Sequence, residues 1–471
     1  MNVILSKEIL IRKSKAVMDR YFIGITLDPE AMIVGGTIRD ILLGRTPKDI
    51  DIATPDVSNL VESFESKGYT HVILDERRNI HRMVKEDVKI DVTPLNDGYI
   101  NDLLSRDFTI NSIGIVIKDW EVLDPQGGLK DLSKGLVRAL SQERFIEDPL
   151  RLIRAFRIAA DLGFTIDPVT LRFITKLSHL IMKPSRERIR DELCWTLEAD
   201  HSYDVIESLT RTGMLGRILP EFATAAQIPP GSPFVLGLTE HLLWTYKFLE
   251  DILSNLDDVL EQHADTAREK LSVILAADRR VFISMKLAAL LHDVGKPATL
   301  TYDDEPHFID HDRIGAEMVQ KRMEELRFSS SEIKAVGELV LNHMRPHNLA
   351  KLEQVTDRAV FRFFRDLDDL SIPCLLIALA DAYATQMVPL GTLDTYQEFV
   401  RKMIEENQRI GKPKPILNGE YIMKLFKIEP GREVGILINL LLEAQALKQV
   451  QTKEEAIEFL KKVSIEDERN A

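Results

Sequence analysis

The spacing of apolar positions changes character near residue 140. Before that point, short β-branched runs alternate with helical stretches: "HVILD" (71–75), "VKIDVT" (88–93) and "FTINSIGIVI" (108–117). Residues 7–21 read as a first helix, and 32 to about 124 as a small α/β domain. The turn cluster "LDPQGGLKDL" (123–132) closes it. From about Ser141 the period is helical; "DPLRLIRAFRIAADLGF" (148–164) has apolar residues at helical spacing and a glycine stop. "QIPPGSP" (227–233) reads as a linker, and "GKPKPILNG" (411–419) as a joint before a C-terminal helical piece. The pattern predicts an α+β chain in four parts: a small α/β head (1–140), a helical segment (141–230), a second helical domain (231–400) and a helical tail (401–471).

Within the head, Asp49 and Asp51 flank Ile50 in a stretch rich in isoleucine and leucine. Residues two apart on a strand share a face, so both carboxylates project together while Ile50 and Ile52 enter the core. Like charges at short range repel unless a cation lies between them. Mg²⁺ suits such oxygen ligands, with nucleotide phosphates completing its shell. Gly35 and Gly36 stand just upstream at the start of "TIRDILLG", where backbone N–H groups can approach a phosphate. Asp91, on the polar face of "VKIDVT", adds a third acid. Three carboxylates on neighbouring strands can hold two metals for phosphoryl transfer. A lone D-x-D is most often a solvated turn.

"GGTIRD" followed by Asp49-Ile50-Asp51 resembles the signature of polymerase-β-like nucleotidyltransferases, and more narrowly the bacterial class II tRNA nucleotidyltransferase and poly(A) polymerase family. "SRDFTINSI" (105–113) resembles its second motif, "DPQGGLKDL" the next, and "ERFIEDPLRLIRAFRIA" (143–159) its nucleotide-selecting helix; the likeness spans about 31–195. The resemblance implies a polymerase-β-like head followed by an all-helical neck and body. It implies that Arg39, Arg106 and Asp107 bind the incoming nucleotide, and that Glu147, Asp148 and Arg151 select it. Asp148 and Arg151, three apart on an expected helix, would present one face to a cytosine edge, with Arg154 extending that face toward phosphates. An exposed salt bridge is the commoner meaning of D-x-x-R.

The middle domain carries His241, the pair His292-Asp293, His311, His343 and Asp381, the last in an otherwise apolar helix. A buried acid there needs a partner. Imidazoles and carboxylates together suit Mn, Ni, Fe or Zn ions. The order resembles the metal-dependent phosphohydrolases named for their His-Asp pair (HD domain), implying a second, metal-dependent phosphohydrolase site, with a degenerate structural domain as the alternative. The tail also resembles the C-terminal region of these bacterial enzymes.

The net charge of −14 argues against nonspecific nucleic-acid binding by the whole surface. A local excess of +5 lies between Arg144 and Arg190, where Lys176, Lys183, Arg186, Arg188 and Arg190 are candidate RNA contacts to a tRNA acceptor arm. With two cysteines, no apolar run of bilayer length and no signal core in the first residues, the expected location is the cytoplasm, with no membrane partner. Oligomeric state stays open. Only fourteen residues separate Asp91 from Arg106. Family members that add C, C and A carry a longer loop here, and those that add only CC lack it, so CC and CCA addition both stand, with CTP and, for CCA, ATP as substrates. "ERRNIHRMV" (76–84) departs from the corresponding poly(A) polymerase stretch, which ranks poly(A) synthesis lower. A phosphohydrolase acting on RNA ends, or a catalytically silent nucleotide sensor, are the remaining readings.

Overall fold

In the computed structural model, described for residues 7–47, 49–95, 97–230, 236–303 and 305–470, the β-branched runs of the head form one mixed sheet. Its strands are β1 (Met32–Val34), β2 (Asp49–Thr54), β3 (Thr70–Asp75), β4 (Ile80–Lys85), β5 (Val88–Pro94), β6 (Gly114–Val116) and β7 (Val122–Leu123), in the order β3-β4-β5-β2-β1-β6-β7. Only β2 and β5 pair in parallel, and their register sets Asp51 beside Asp91. Alternation along β2 buries Ile50 and Ile52 and leaves Asp49 and Asp51 on the other face. The helix Val57–Glu65, capped by Asp56, buries Val57, Leu60, Val61 and Phe64.

Two expectations for this region change. "FTINSIGIVI" is not one strand: Thr109–Asn111 is a single 3-10 turn and only Gly114–Val116 pairs. The helix expected to carry both Asp148 and Arg151 begins at Arg151, while Asp148 is extended (φ −137°, ψ 93°) behind the short helix Glu143–Glu147. Pro149 explains the break, because the residue before a proline is pushed out of the α region. The helix Arg151–Leu162 then ends at Gly163 in the left-handed conformation.

The chain divides into two units, Met1–Pro220 and Glu221–Ala471. Residues 231–233 of the expected linker lie outside the described residues. In the second unit the largely apolar helices Val281–Leu291 and Ser371–Gln386 pack on one another and on the mixed helix Leu238–Ser254, which buries Leu242, Tyr246 and Leu249. Beyond the Pro-rich joint, the helices Gly419–Phe426, Arg432–Ala446 and Lys453–Asn470 close over their own core of Leu417, Ile422, Leu437, Leu441 and Leu460. No helix among the described residues is long and apolar enough to cross a membrane.

Candidate active site and histidine cluster

The head site grows from the turn between β1 and the helix Gly36–Leu42. Gly35 has φ 67°, and a Cβ there would sit 2.9 Å from Asp51 Oδ2 and 3.0 Å from an Arg106 guanidinium nitrogen, so only glycine fits. The Gly36 N–H, expected to meet a phosphate, donates to Asp51 Oδ2 at 3.0 Å, and the Asp51 N–H donates to Thr37 Oγ1 at 2.7 Å. Burial pushes the Asp51 carboxyl up to about 6; Arg106 pulls against this, while Asp91 and Asp49 add to it. Such a carboxylate gains from a further cation.

Sequence reasoning missed the cation that is present. Arg82 stands opposite Asp91 across the β4–β5 ladder. Its Nε donates to Asp91 Oδ1 at 2.7 Å, and its Nη2 to Asp91 Oδ2 at 2.8 Å and Asp49 Oδ2 at 3.2 Å. The period-two alternation of "HRMVKEDVKID" about its tight turn contains the signal. Three carboxylates on one sheet face offer an all-oxygen donor set of the kind a hard divalent metal takes.

Around the expected selecting residues the structure shows which partner each side chain has. Arg151 donates to the carbonyls of Arg144 (3.3 Å) and Ser105 (3.2 Å). Asp148, buried, faces Arg188 at 3.5 Å and Arg78 at 3.6 Å. Burial opposes its charge, but Arg188 and Arg154 hold its carboxyl below the usual range. Glu147 pairs with Arg144 at 2.8 Å. Arg154 does not run on toward phosphates: it is bound to the buried Glu192 at 3.0 Å and to Asp107 at 3.4 Å. Asp107 in turn accepts from the Phe108 N–H (2.8 Å) and Asn111 (2.9 Å). Arg39 reaches Asn111 and Asp40, and Arg106 binds Asp102. The basic stripe is partly spent. Arg188 serves Asp148, Arg190 pairs with Asp191 at 2.8 Å, and Arg186 donates to the Met182 carbonyl, whereas Lys176 and Lys183 are exposed.

In the second unit, helix ends and the interior of the helix Ser371–Gln386, which carries Asp381, bring the six expected ligands together in two groups: His241, His292 and Asp381, and Asp293, His311 and His343. The Nδ1 atoms of His292, His311 and His343 lie 3.0, 2.7 and 2.7 Å from backbone carbonyls. A carbonyl only accepts, so each Nδ1 carries a proton, which leaves Nε2 as the ring atom that would face a metal. His241 Nε2 lies 3.3 Å from His292 Nε2 and 3.1 Å from Asp381 Oδ1. The Asp293 carboxylate lies between the groups: Oδ2 is 3.4 Å from His292, and Oδ1 is 3.2 Å from His311 and 3.5 Å from His343. The buried Nε2 atoms of His311 and His343 have no hydrogen-bond partner. Orphaned imidazole nitrogens aimed at a shared carboxylate are what a metal site requires, and the donors suit a transition metal. Gly295 permits the approach: a Cβ there would fall 2.1 Å from the His311 carbonyl oxygen.

Two supports were not foreseen as such. Lys296 donates to Asp293. His347, the last residue of "LVLNHMRPH", binds Asp381 Oδ2 at 2.9 Å through Nε2 and meets the Tyr396 hydroxyl at 3.1 Å through Nδ1. Its neighbours Arg345, Pro346 and Asn348 gave no sign that it would turn inward.

Comparison with known proteins agrees with this division. Profiles match for the poly A polymerase head domain (residues 31–98 and 95–138), the "Probable RNA and SrmB- binding site of polymerase A" (163–225) and the HD domain (239–386). The chain is 31% identical to the CC-adding tRNA nucleotidyltransferase of Thermus thermophilus over 92% of its length and 93% of that protein. It is 30% identical to the A-adding tRNA nucleotidyltransferase of Deinococcus radiodurans, covering 92% and 95%. The Thermotoga maritima CCA-adding enzyme, solved in complex with tRNA, has the same fold, with a TM-score of 0.63 at 18% identity over 98% of this chain and 99% of that one. With the acid-bearing head sheet, the helical body and the histidine unit all present in order, the chain belongs to the bacterial tRNA nucleotidyltransferase family.

Proposed function

We propose that the chain adds C residues, as CC, to the 3′ ends of tRNA from CTP. The observation that carries this reading is the convergence of Asp49, Asp51 and Asp91 on one sheet face, with the Asp148/Arg151 selecting pair in the same unit. Mg²⁺ held by Asp49 and Asp51 would neutralise the triphosphate and the departing pyrophosphate. Asp91 takes the proton of the terminal 3′-hydroxyl. The oxygen then attacks the α-phosphorus, and the bond to the β-phosphate breaks, its electron pair leaving with pyrophosphate. The Asp148 carboxylate accepts from the exocyclic amine of cytosine, and the Arg151 guanidinium donates to its ring acceptors. Lys176 and Lys183 offer phosphate contacts to the acceptor arm.

Addition of CC without A is supported by the segment between Asp91 and Arg106. Strand β5 runs to Pro94 and the helix Tyr99–Ser105 starts five residues later, so the described chain has little length for a mobile loop there. Incubating tRNA that ends before, within and after CCA with each labelled nucleotide tests the proposal. Absence of incorporation by the wild type, or unchanged incorporation in Asp49→Ala/Asp51→Ala, would overturn it.

The orphaned Nε2 atoms of His311 and His343 favour a second activity, metal-dependent hydrolysis of phosphate esters at RNA ends. Phosphate release from a 2′,3′-cyclic end that survives Asp49→Ala/Asp51→Ala and disappears in His292→Ala/Asp293→Ala would assign it to the histidine cluster.

A further inference from the structure

Arg82 occupies the atoms that the proposed chemistry needs. Its fork takes both oxygens of Asp91 and one of Asp49. While it stays, its positive charge and its two bonds make Asp91 a weaker proton acceptor, and one Asp49 oxygen is shared with it rather than fully available to a metal. A guanidinium and a divalent ion compete for the same lone pairs. Without any cation, three carboxylates would face one another on β2 and β5. Arg106 and Arg39 offset part of the charge at Asp51, while Arg82 is the cation bound to Asp91 and Asp49, in the place a metal would take. Its side chain is 27% exposed, so it has a route toward solvent. Four residues earlier, in the turn between β3 and β4, Arg78 approaches Asp148, the expected base selector, at 3.6 Å.

We propose that Arg82 is a resident counter-cation of the catalytic acids that Mg²⁺ displaces, so that metal entry frees Asp91 for proton transfer. This rests on the nucleotidyltransferase reading of the head. The alternative is a static brace: Arg82 stays in place and holds Asp91 permanently.

The test is Mg²⁺ binding to the full chain without nucleotide, by calorimetry, for the wild type, Arg82→Gln and Arg82→Lys. Removing the competitor should tighten Mg²⁺ binding about fivefold in Arg82→Gln, the scale of a partly exposed ion pair; Arg82→Lys, which keeps the charge and loses the fork, should lie between. A wild-type measurement covers the case in which Arg82→Gln misfolds. In spectra of ¹⁵N-arginine-labelled protein, the Nε–H signal absent from Arg82→Lys should move as Mg²⁺ saturates. Binding no tighter in a folded Arg82→Gln, or an Arg82 signal unmoved by saturating Mg²⁺, overturns the exchange. C incorporation is followed on the same wild-type preparation. Its absence would overturn the functional reading itself; its presence with an unmoved Arg82 would overturn only the exchange.

Discussion

At the scale of single residues, the acids owe their behaviour to what the backbone places beside them. Asp51 is fixed by the Gly36 N–H and crowded by two neighbours of like charge. Asp51→Asn keeps most of the shape and loses the charge, so C incorporation should fall by at least ~100-fold, as when a group that stabilises transition-state charge is removed; single-turnover rates would show it. Asp148 lies between Arg78 and Arg188, and loses its acceptor if mutated. In Asp148→Ala, discrimination between CTP and UTP, read as the ratio of kcat/KM values, should drop by about 1–3 kcal/mol, the worth of one good base-edge contact.

At the scale of elements, one buried acid ties a hairpin to a helix. Glu332, 2% exposed, completes a capping box with Ser329 and binds Arg279 through both oxygens. Burial opposes its charge, but Arg279 and Ser329 hold its carboxyl below the ordinary 4.5. A depressed folded-state value stabilises above the unfolded value and is lost as pH falls below it. Glu332→Gln should therefore cost about 2 kcal/mol at pH 7, and the deficit should shrink as pH drops through 4.5 and lower; urea midpoints across that range would check it. The tail has its own core, in which Leu441 is fully buried, so Leu441→Ala should destabilise it by about 2–5 kcal/mol. Elements were also where sequence reasoning was strongest and where it failed for a stated reason. The first helix, Lys7–Tyr21, and the period-two faces of β2 and β5 were legible because one face is buried. The Asp148/Arg151 face was misread because Pro149 was ignored. Arg82 and His347 were missed because a single polar residue in an ordinary pattern does not show its partner until pairing or packing brings it there.

At the scale of the whole molecule, a net charge of −14 coexists with a polyanionic substrate. In the proposed reading the local basic residues supply the binding. tRNA affinity should fall steeply with salt, and Lys176→Ala or Lys183→Ala should each lower the slope of log affinity against log salt by about one. The division into a head-bearing unit and a histidine-bearing unit lets separate mutations address the two proposed chemistries. The most direct measurement is the length and sequence of product from tRNA lacking its 3′ CCA, incubated with CTP alone, ATP alone and both. Two added C residues with CTP, no A under any condition, and loss of both additions in Asp49→Ala/Asp51→Ala are the predicted result. Incorporation of A after CC, or no incorporation of C, would contradict it.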